Sequence, residues 1–327
     1  MSLDSALKAL IDSFPSPAAG PLDYPEMRRQ AEASIPAIIG PDGLAEVAVV
    51  EEQTIPGVGT DVEIRIYRPL GAPNGTLHYV HGGGWCVGNL AMTDPLARRL
   101  CNYLSMVVVT STYRLAPEHA FPAAYNDVMA AAAWVLANAS SLGGEGLPTV
   151  IAGDSAGANL VAGVCIGLRD GDDVTLGLTS FGGRHRTYDV QLLFYPSLDM
   201  RESSWQNPSR IADADPTLRV NVMKKYRPGY IAESDVNDRR LSPLAAESLA
   251  DLPPAIVVVL QVDPLRDEAV QYAERLQAEG RGAELMKFNN LTHGFAHFSG
   301  IIPAARRALH EVLDRLRAML EQPATVK

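Results

Sequence analysis

The sequence predicts an α/β protein built on a mostly parallel central sheet that is flanked by helices. Two observations support this fold class. From about residue 47 onward, runs of β-branched residues alternate with stretches of helical periodicity, and several of these runs are continuously apolar. Continuously apolar strands are typical of a sheet that is covered on both faces. Strands that alternate with helices imply crossover connections, which place successive strands parallel to one another.

Eight strands are predicted in this part of the chain. They cover residues 47–55, 62–69, 76–82, 106–114, 149–155, 190–199, 255–263 and 283–289. The principal helices are predicted at residues 93–105, 121–139, 158–168, 267–280 and 302–322. Thr93 and Asp94 are candidate caps at the start of the first of these helices.

Two stretches interrupt the alternation of strands and helices. The first 45 residues form short helical pieces broken by prolines, and residues 200–245 mix polar and aromatic residues with helix fragments. We expect the N-terminal cap helices (1–45) and the cap insertion (200–245) to pair as a lid over a core made of residues 46–199 and 246–327. Residues 169–188 are rich in Gly, Asp and Arg and are expected to form a long surface excursion.

The composition argues against several classes of protein. The 327-residue chain has a formal net charge of −10 and a pI of about 5.2, so it lacks the basic surface that binds nucleic acid or anionic lipid. Its three cysteines have no paired spacing, which argues against a disulfide framework or a zinc site. Asp4 and Lys8 interrupt the N-terminal apolar run, so neither a signal peptide nor a membrane span is predicted. A cytoplasmic location is the simplest interpretation.

The pentapeptide Gly153-Asp154-Ser155-Ala156-Gly157 follows a predicted strand and precedes a predicted helix. A G-x-S-x-G motif in this setting forms a nucleophile elbow, a tight turn whose small flanking residues let the serine hydroxyl project above the sheet edge. The N-terminus of the following helix is directed at the same point and favours developing negative charge. Ser155 is therefore the candidate nucleophile. The alternative is a serine that merely caps the helix.

A run of glycines, HGGGW (residues 81–85), directly follows the third predicted strand. Successive glycines expose backbone N–H groups, and an oxyanion intermediate needs such preorganised donors. We expect the N–H groups of Gly83, Gly84 and Ala156, the residue after the nucleophile, to form an oxyanion hole. The run does not fit the dinucleotide-binding G-x-G-x-x-G pattern, and no P-loop lysine follows it. A flexible surface turn is the remaining alternative.

His293 is the candidate general base. It lies just after the last predicted strand, where the chain order serine, acid, histidine places the base. His297 is the nearest competitor, and spacing alone does not exclude it. The two histidines also suggest metal ligands, but no HExxH motif or carboxylate pattern accompanies them. Neither a metal nor a cofactor is therefore expected.

Asp263 is the candidate acid because it ends the strand before the last one and precedes a proline. At that position it emerges at the same sheet edge as the serine and can hold His293 in one tautomer. Asp199, at the end of the neighbouring predicted strand, is the runner-up. A solvated residue at a helix start is the alternative for Asp263. Asp267 and Glu268 are better interpreted as residues that open the next helix.

Five segments resemble the hormone-sensitive-lipase-like family of esterases. They are HGGGW (81–85), YRLAPEHAFPA (113–123), GDSAG (153–157), DPLRDE (263–268) and HGF (293–295), and they occur in order over residues 75–300. The resemblance implies the α/β-hydrolase fold, a cap over an ester-binding cleft, and hydrolysis of short-to-medium acyl esters without a cofactor. Its catalytic triad corresponds to Ser155, Asp263 and His293, and its oxyanion hole to Gly83, Gly84 and Ala156.

The resemblance also implies a possible homodimer, because members of this family often pair through the last strand or its neighbouring helix. One departure from the family concerns Ala158, which stands where a further glycine is common. The added methyl group narrows the space beside the nucleophile and therefore affects specificity rather than chemistry.

Together these residues predict a carboxylic ester hydrolase that acts on small-molecule esters by a two-step acyl transfer. Trp85, Trp205, Tyr226 and Tyr230 are candidate pocket residues, although aromatic residues in a cap more often pack than bind. Two other functions stay open: a non-catalytic small-ligand receptor, in which the histidine is typically replaced, and a serine peptidase. Cys86, beside the glycine run, is either a reactive thiol or a buried packing residue.

Overall fold

An eight-stranded sheet forms the centre of the protein. The structure is a computed structural model that describes residues 3–13, 20–178 and 187–321. The strands are β1 (Val49–Pro56), β2 (Asp61–Arg68), β3 (Thr76–Val80), β4 (Val107–Ser111), β5 (Thr149–Asp154), β6 (Val190–Phe194), β7 (Ala255–Leu260) and β8 (Ala283–Phe288). All eight predicted strands are present, and most of them are shorter than predicted.

The strand order across the sheet is β1-β2-β4-β3-β5-β6-β7-β8. The pairs β1/β2 and β2/β4 are antiparallel, and the remaining neighbours are parallel, which confirms the predicted fold class. In the parallel part, Val80 lies opposite Gly153, and Asp154 lies opposite Phe194. The loops after β3, β5, β7 and β8 therefore meet where the parallel strands end. This end of the sheet is called the carboxyl edge below, and parallel sheets place their ligand sites there.

Helices cover both faces of this sheet. They are α1 (Ser5–Asp12), α2 (Tyr24–Ala33), α3 (Ile35–Ile39), α4 (Leu90–Leu104), α5 (Ala123–Leu142), α6 (Ala156–Asp170), α7 (Asp172–Thr175), α8 (Pro208–Ala212), α9 (Val220–Ile231), α10 (Arg266–Ala278) and α11 (Pro303–Glu321). Residues of α5, α6 and α10 share an apolar cluster with one face of the strands, and residues of α4 and α11 share a cluster with the other. Within the described ranges, no helix is long and apolar enough to cross a membrane.

The central strands are continuously apolar because both of their faces are buried. Every residue of β3, β4, β5, β6 and β7 is buried. Along β7, Val257 and Val259 belong to the cluster with α10, and Ile256 and Val258 to the cluster with α11. Burying one such side chain stabilises the fold by about 1.5–3 kcal/mol. The burial of several such side chains outweighs the backbone strain of a tight turn at the carboxyl edge.

Helix α4 begins three residues before its predicted start. Asn89 is the N-cap, and its side chain accepts a hydrogen bond from the Met92 N–H at 2.9 Å. Thr93 lies in the first turn and donates to the Asn89 carbonyl, while Asp94 pairs with Arg98. The interpretation of Thr93 and Asp94 as caps was therefore wrong. Asparagine is as favourable at an N-cap as aspartate, and it stands earlier in the chain.

The N-terminal helices pack in two different places. Leu7 of α1 is fully buried in the cluster that α11 shares with the sheet. Before α2, the Gly20 carbonyl accepts a hydrogen bond from Lys225 of α9 at 2.8 Å. The segment around α2 is thus a neighbour of the insertion, whereas α1 packs on the core. The division of the chain into cap and core stays a prediction.

The predicted surface excursion at 169–188 is only partly described. Its beginning completes α6 and forms α7, and residues 179–186 lie outside the described residues. Arg239 of the insertion pairs with Asp170 at 2.8 Å and with Asp172 at 2.7 Å. The described beginning of the excursion is therefore tied to the insertion.

A buried ion pair joins the insertion to the core. Arg210 of α8 donates to the carboxylate of Glu268, which opens α10 as predicted, and both side chains are fully buried. The second Glu268 oxygen accepts the Leu198 N–H at 2.7 Å. Because loss of one partner leaves an uncompensated buried charge, this pair fixes where the insertion meets the core.

Replacing this carboxylate should destabilise the protein. Glu268→Gln is expected to lower the free energy of unfolding by about 3–5 kcal/mol, because the buried Arg210 charge loses its carboxylate partner. Glu274→Gln, at an exposed position of the same helix, is the control and should change it by less than about 0.5 kcal/mol. Urea unfolding followed by circular dichroism measures both variants. Equal unfolding midpoints would contradict the role of the pair.

Candidate active site

The turn between β5 and α6 holds Ser155 in a strained backbone conformation. Its φ is +54° and its ψ −118°, a region that costs a non-glycine residue about 1–3 kcal/mol. A Cβ at Gly157 would lie 2.2 Å from the Val80 carbonyl oxygen, and a Cβ at Gly153 would lie 2.7 Å from the Gly157 carbonyl carbon. The tight turn that the motif predicts is therefore formed, and both of its glycines are sterically required.

The Ser155 hydroxyl is hydrogen bonded to a histidine rather than to the helix that follows. Ser155 is the N-cap residue of α6, yet its side chain makes no capping hydrogen bond to any residue that the structure describes. Instead, its Oγ lies 2.8 Å from Nε2 of His293. The alternative in which Ser155 merely caps the helix is thus excluded.

Asp263 extends this contact to a chain of three side chains. Nδ1 of His293 lies 2.8 Å from Oδ2 of Asp263, and the second Asp263 oxygen accepts the Leu265 N–H at 2.8 Å. Asp263 follows β7 and His293 follows β8, so the parallel register carries both to the carboxyl edge beside Ser155. The structure thus brings together the serine, the aspartate and the histidine that the sequence singled out.

The surroundings of His293 raise the pKa of its imidazole. Burial is the largest single influence and acts to lower this pKa. The charge of Asp263 and the hydrogen bond to it act in the opposite direction, as do the charges of Asp215 and Asp154. Together these carboxylates prevail, so the pKa lies above its ordinary value of 6.5. The same carboxylates stabilise the imidazolium that forms when His293 takes a proton.

His297 and Asp199, the alternative candidates for the base and the acid, have other hydrogen-bond partners. Nε2 of His297 lies 3.2 Å from Oδ2 of Asp154 rather than beside the serine. Asp199 is held by Arg201, whose Nε lies 2.9 Å from Oδ1 of Asp199. The structure therefore separates the first candidates from their competitors, which chain order alone could not do.

The glycine run after β3, residues 81–85, folds into a tight loop with left-handed backbone and is called the glycine loop below. φ is +109° at Gly83 and +60° at Gly84, and a Cβ on Gly83 would lie 2.0 Å from the Val87 carbonyl oxygen. The Gly83 carbonyl accepts the N–H groups of Cys86 and Val87 at 3.1 and 3.0 Å. Among the described residues, the N–H groups of Gly83, Gly84 and Ala156 have no acceptor. Unpaired N–H donors near a nucleophile are what an oxyanion hole requires.

Asp154 connects the glycine loop to the elbow, a role that the sequence analysis did not assign. Its Oδ1 accepts the Gly82 N–H at 2.8 Å and the Tyr79 hydroxyl at 2.7 Å. The Tyr113 hydroxyl donates to the His81 carbonyl at 3.0 Å and adds a second anchor. One signal was available in the sequence, because a carboxylate that ends a buried apolar strand needs hydrogen-bond partners.

The four candidate pocket aromatics differ in their surroundings. Trp85 and Tyr230 are buried and stack on each other, with ring centroids 4.4 Å apart. The Tyr226 ring would lie 3.2 Å from a Cβ on Gly84. Trp205 is in contact with three cationic side chains, those of Arg210, Lys224 and Arg227. Tyr226 and Tyr230 thus bring α9 against the glycine loop, whereas Trp205 lies in a cationic environment.

Cys86 has the surroundings of a packing residue. Its side chain is buried, and burial raises the pKa of the thiol to about 12. The Cys86 carbonyl accepts a hydrogen bond from Arg28 of α2 at 2.8 Å. A thiol with this pKa stays protonated at neutral pH, so it is a poor nucleophile.

Comparison with known proteins gives matches over most of the chain. A family model described as alpha/beta hydrolase fold matches residues 77–297. A carboxylesterase of Mycobacterium tuberculosis is 34% identical over 325 residues, which cover 97% of this chain and 96% of that protein. An ethyl acetate hydrolase of Pseudomonas putida is 27% identical, with 91% of each chain covered. The solved structure of an esterase from Pyrobaculum calidifontis matches with a TM-score of 0.84 at 33% identity, covering 97% of this chain and 99% of that one.

The family match agrees with the features described above. The matched residues include the glycine loop, the elbow, Asp263 and His293. The mostly parallel sheet with helices on both faces agrees with the alpha/beta hydrolase fold that the family model describes. The chain belongs to the hormone-sensitive-lipase-like family of α/β-hydrolases.

Proposed function

We propose that this protein hydrolyses carboxylic esters with short-to-medium acyl chains through an acyl-enzyme formed on Ser155. The observation that carries the proposal is the chain of hydrogen bonds from Asp263 through His293 to Ser155, with 2.8 Å at each contact. The general activity also follows from the family: with a carboxylesterase 34% identical over nearly the whole chain, the protein is a carboxylic ester hydrolase.

In the first half of the reaction, Nε2 of His293 takes the hydroxyl proton of Ser155 while Oγ bonds to the ester carbonyl carbon. The carbonyl oxygen becomes an oxyanion and accepts hydrogen bonds from the N–H groups of Gly83, Gly84 and Ala156. Each such donor lowers the barrier by about 2.7–4 kcal/mol. The imidazolium then gives its proton to the departing alcohol oxygen, the bond between that oxygen and the acyl carbon breaks, and the acyl group stays on Ser155.

In the second half, water takes the place of the alcohol. His293 removes a proton from the water molecule while the water oxygen bonds to the acyl carbon. The bond to Oγ then breaks, and the same proton returns to Ser155. Throughout, Asp263 keeps the hydrogen of the neutral imidazole on Nδ1 and stabilises the imidazolium. The carboxylic acid leaves, and the reaction needs no cofactor.

The proposed chain-length range rests on the aromatic side chains near the glycine loop. Trp85 and Tyr230 form a buried stack, and Tyr226 lies against Gly84. Tyr226, the most exposed of these three rings at 9%, would limit the acyl or alcohol pocket on the side of α9, with the buried stack of Trp85 and Tyr230 supporting it. Trp205 is kept as a candidate pocket residue. The ethyl acetate hydrolase among the relatives is named for an acetate ester, in keeping with a short acyl group.

Assembly and location are further parts of the proposal. β8 is an edge strand, and its Leu285 is 40% exposed. Free backbone groups on an edge strand can pair with the same strand of a second copy. We therefore keep the homodimer, paired through β8, and the cytoplasmic location as predictions.

Ser155→Ala is expected to abolish hydrolysis of p-nitrophenyl esters, with kcat lowered by about 10⁴-fold or more, because no acyl-enzyme can form. Ser299→Ala is the control, since Ser299 is also buried and its hydroxyl has no hydrogen-bond partner among the described residues. Assayed from acetate to dodecanoate, wild-type activity should peak at short chains. A wild type that is inert but binds a small carboxylic acid would support the receptor, and cleavage of peptides alone would support the peptidase.

The two neighbouring histidines should differ sharply. His293→Asn is expected to lower kcat by about 10⁴–10⁶-fold, because the Ser155 proton then has no acceptor. His297→Asn should cost no more than about tenfold, because it removes one hydrogen bond to Asp154, worth about 1 kcal/mol net. Steady-state kinetics with one short-chain ester compares them. If kcat falls more in the His297 variant than in the His293 variant, the general base is His297 and not His293.

The pH dependence of kcat/KM should report the raised pKa of His293. Activity requires the neutral imidazole, so it is lost as the pH falls through this pKa, and the midpoint should lie above 6.5. In Asp263→Asn the influence of burial remains without the carboxylate charge, so the midpoint should move to lower pH. The plateau should also fall by about 10⁴-fold because the wrong tautomer is favoured. Asp199→Asn is the control, and a shift of equal size there would contradict the role of Asp263.

A further inference from the structure

A loop of the insertion reaches the main chain of His293. Asp215 lies between α8 and α9 and is fully buried. Its Oδ2 accepts a hydrogen bond from the backbone N–H of His293 at 2.7 Å. This contact is separate from the one that Asp263 makes with the imidazole ring, so carboxylates from two parts of the chain hold the same residue.

Thr217 extends this contact to the other side of the same residue. Oδ1 of Asp215 accepts the Thr217 N–H at 2.8 Å and lies 2.7 Å from the Thr217 hydroxyl. That hydroxyl also lies 2.9 Å from the His293 carbonyl oxygen. The insertion therefore contacts both the N–H and the C=O of His293. Because the hydroxyl carries one hydrogen, it donates either to Asp215 or to His293 at any moment.

The position of the His293 main chain is important for catalysis. Asp263 fixes the ring through Nδ1, but it does not fix the Cα from which the ring is suspended. A displacement of about 1 Å in a reacting group can lower the rate about 10²-fold. The 2.8 Å contact between Nε2 and Oγ of Ser155 thus needs a second support at the backbone.

The charge of Asp215 also acts on the imidazole. Among the ionisable side chains that the structure describes, Asp263, which follows β7, and His293, which follows β8, act most strongly on Asp215. Burial and the charge of Asp263 raise the pKa of Asp215, while the charge of His293 lowers it. The Asp215 charge in turn raises the pKa of His293, behind the influences of burial and Asp263.

We propose that Asp215, together with Thr217, is a positioning residue for His293, so that the insertion holds the main chain of the catalytic base. This inference rests on the proposed function, because it assigns a partner to the proposed base. A merely structural role, in which Asp215 only orders its own loop through Thr217 and Leu218, is the competing explanation.

Two pairs of variants test the proposal. Asp215→Asn keeps the shape but leaves one acceptor oxygen; with that oxygen on the N–H groups of Thr217 and Leu218, its NH2 group faces the N–H of His293. Its control is Asp213→Asn in the same loop, where the carboxylate accepts the Val220 N–H at 2.8 Å and does not contact His293. Thr217→Val removes the hydroxyl at nearly constant volume, and Thr217→Ser restores it.

The expected results concern kcat, KM and the pH profile for one p-nitrophenyl ester. Asp215→Asn should lower kcat by about 10²-fold with KM nearly unchanged, because the base is displaced while the substrate still binds. Its acidic limb should move to lower pH, because the negative charge near His293 is lost. Thr217→Val should lower kcat by about five- to tenfold without moving the acidic limb of the pH profile. Thr217→Ser keeps a hydroxyl and should therefore have nearly the wild-type kcat. Asp213→Asn should resemble the wild type.

Other outcomes would overturn the proposal in distinguishable ways. If Asp215→Asn is less stable to urea but keeps the wild-type kcat and acidic limb, its role is structural. If that variant does not fold, the comparison of Thr217→Val with Thr217→Ser tests the proposal instead. Equal kcat values for these two variants would reject the positioning role. If the wild type is inert, or if Ser155→Ala stays active, the proposed function itself fails, and the positioning role fails with it.

Discussion

The close approach of α6 to the end of β3 is the constraint on which the site depends. Any side chain at Gly157 would collide with the Val80 carbonyl oxygen, so only glycine lets the helix begin at this distance from the strand. Because the helix starts there, the N–H of Ala156 and the N–H groups of the glycine loop belong to the same end of the sheet. The backbone strain at Ser155 is a consequence of the same turn, and the burial of the central strands offsets it.

Local signals explain how much the sequence could predict. The strands were found because burial on both faces leaves them continuously apolar, and Ser155 was found because its motif is contiguous. Asp263 and His293 followed from chain order at strand ends. The contacts of Asp154 with Tyr79 and Gly82, and of Asp215 with His293, could not be predicted in this way, because they join residues more than seventy positions apart along the chain. Such hydrogen bonds depend on the register of the finished sheet, and no periodicity marks them.

Buried contacts join the insertion, residues 200–245, to the rest of the chain at several places. Arg210 and Glu268 fix it to α10 without contact with water. The aromatic side chains of α9 pack against the glycine loop, and the segment around α2 lies beside that helix. Substitutions at these attachment points would therefore disturb the fold, because they leave a buried charge without its partner.

The two edges of the sheet are not equivalent, and this limits how copies of the chain can associate. The β1 edge carries Glu51 and Glu52, which are exposed and form ion pairs with Arg68 and Arg65 of β2. The β8 edge presents Leu285 between polar residues. A two-fold pairing of β8 strands would use one edge of each copy and leave a β1 edge at both ends of the continuous sheet. Such a two-fold pairing is closed, so any further extension of the sheet would have to pass through the ion-paired β1 edges.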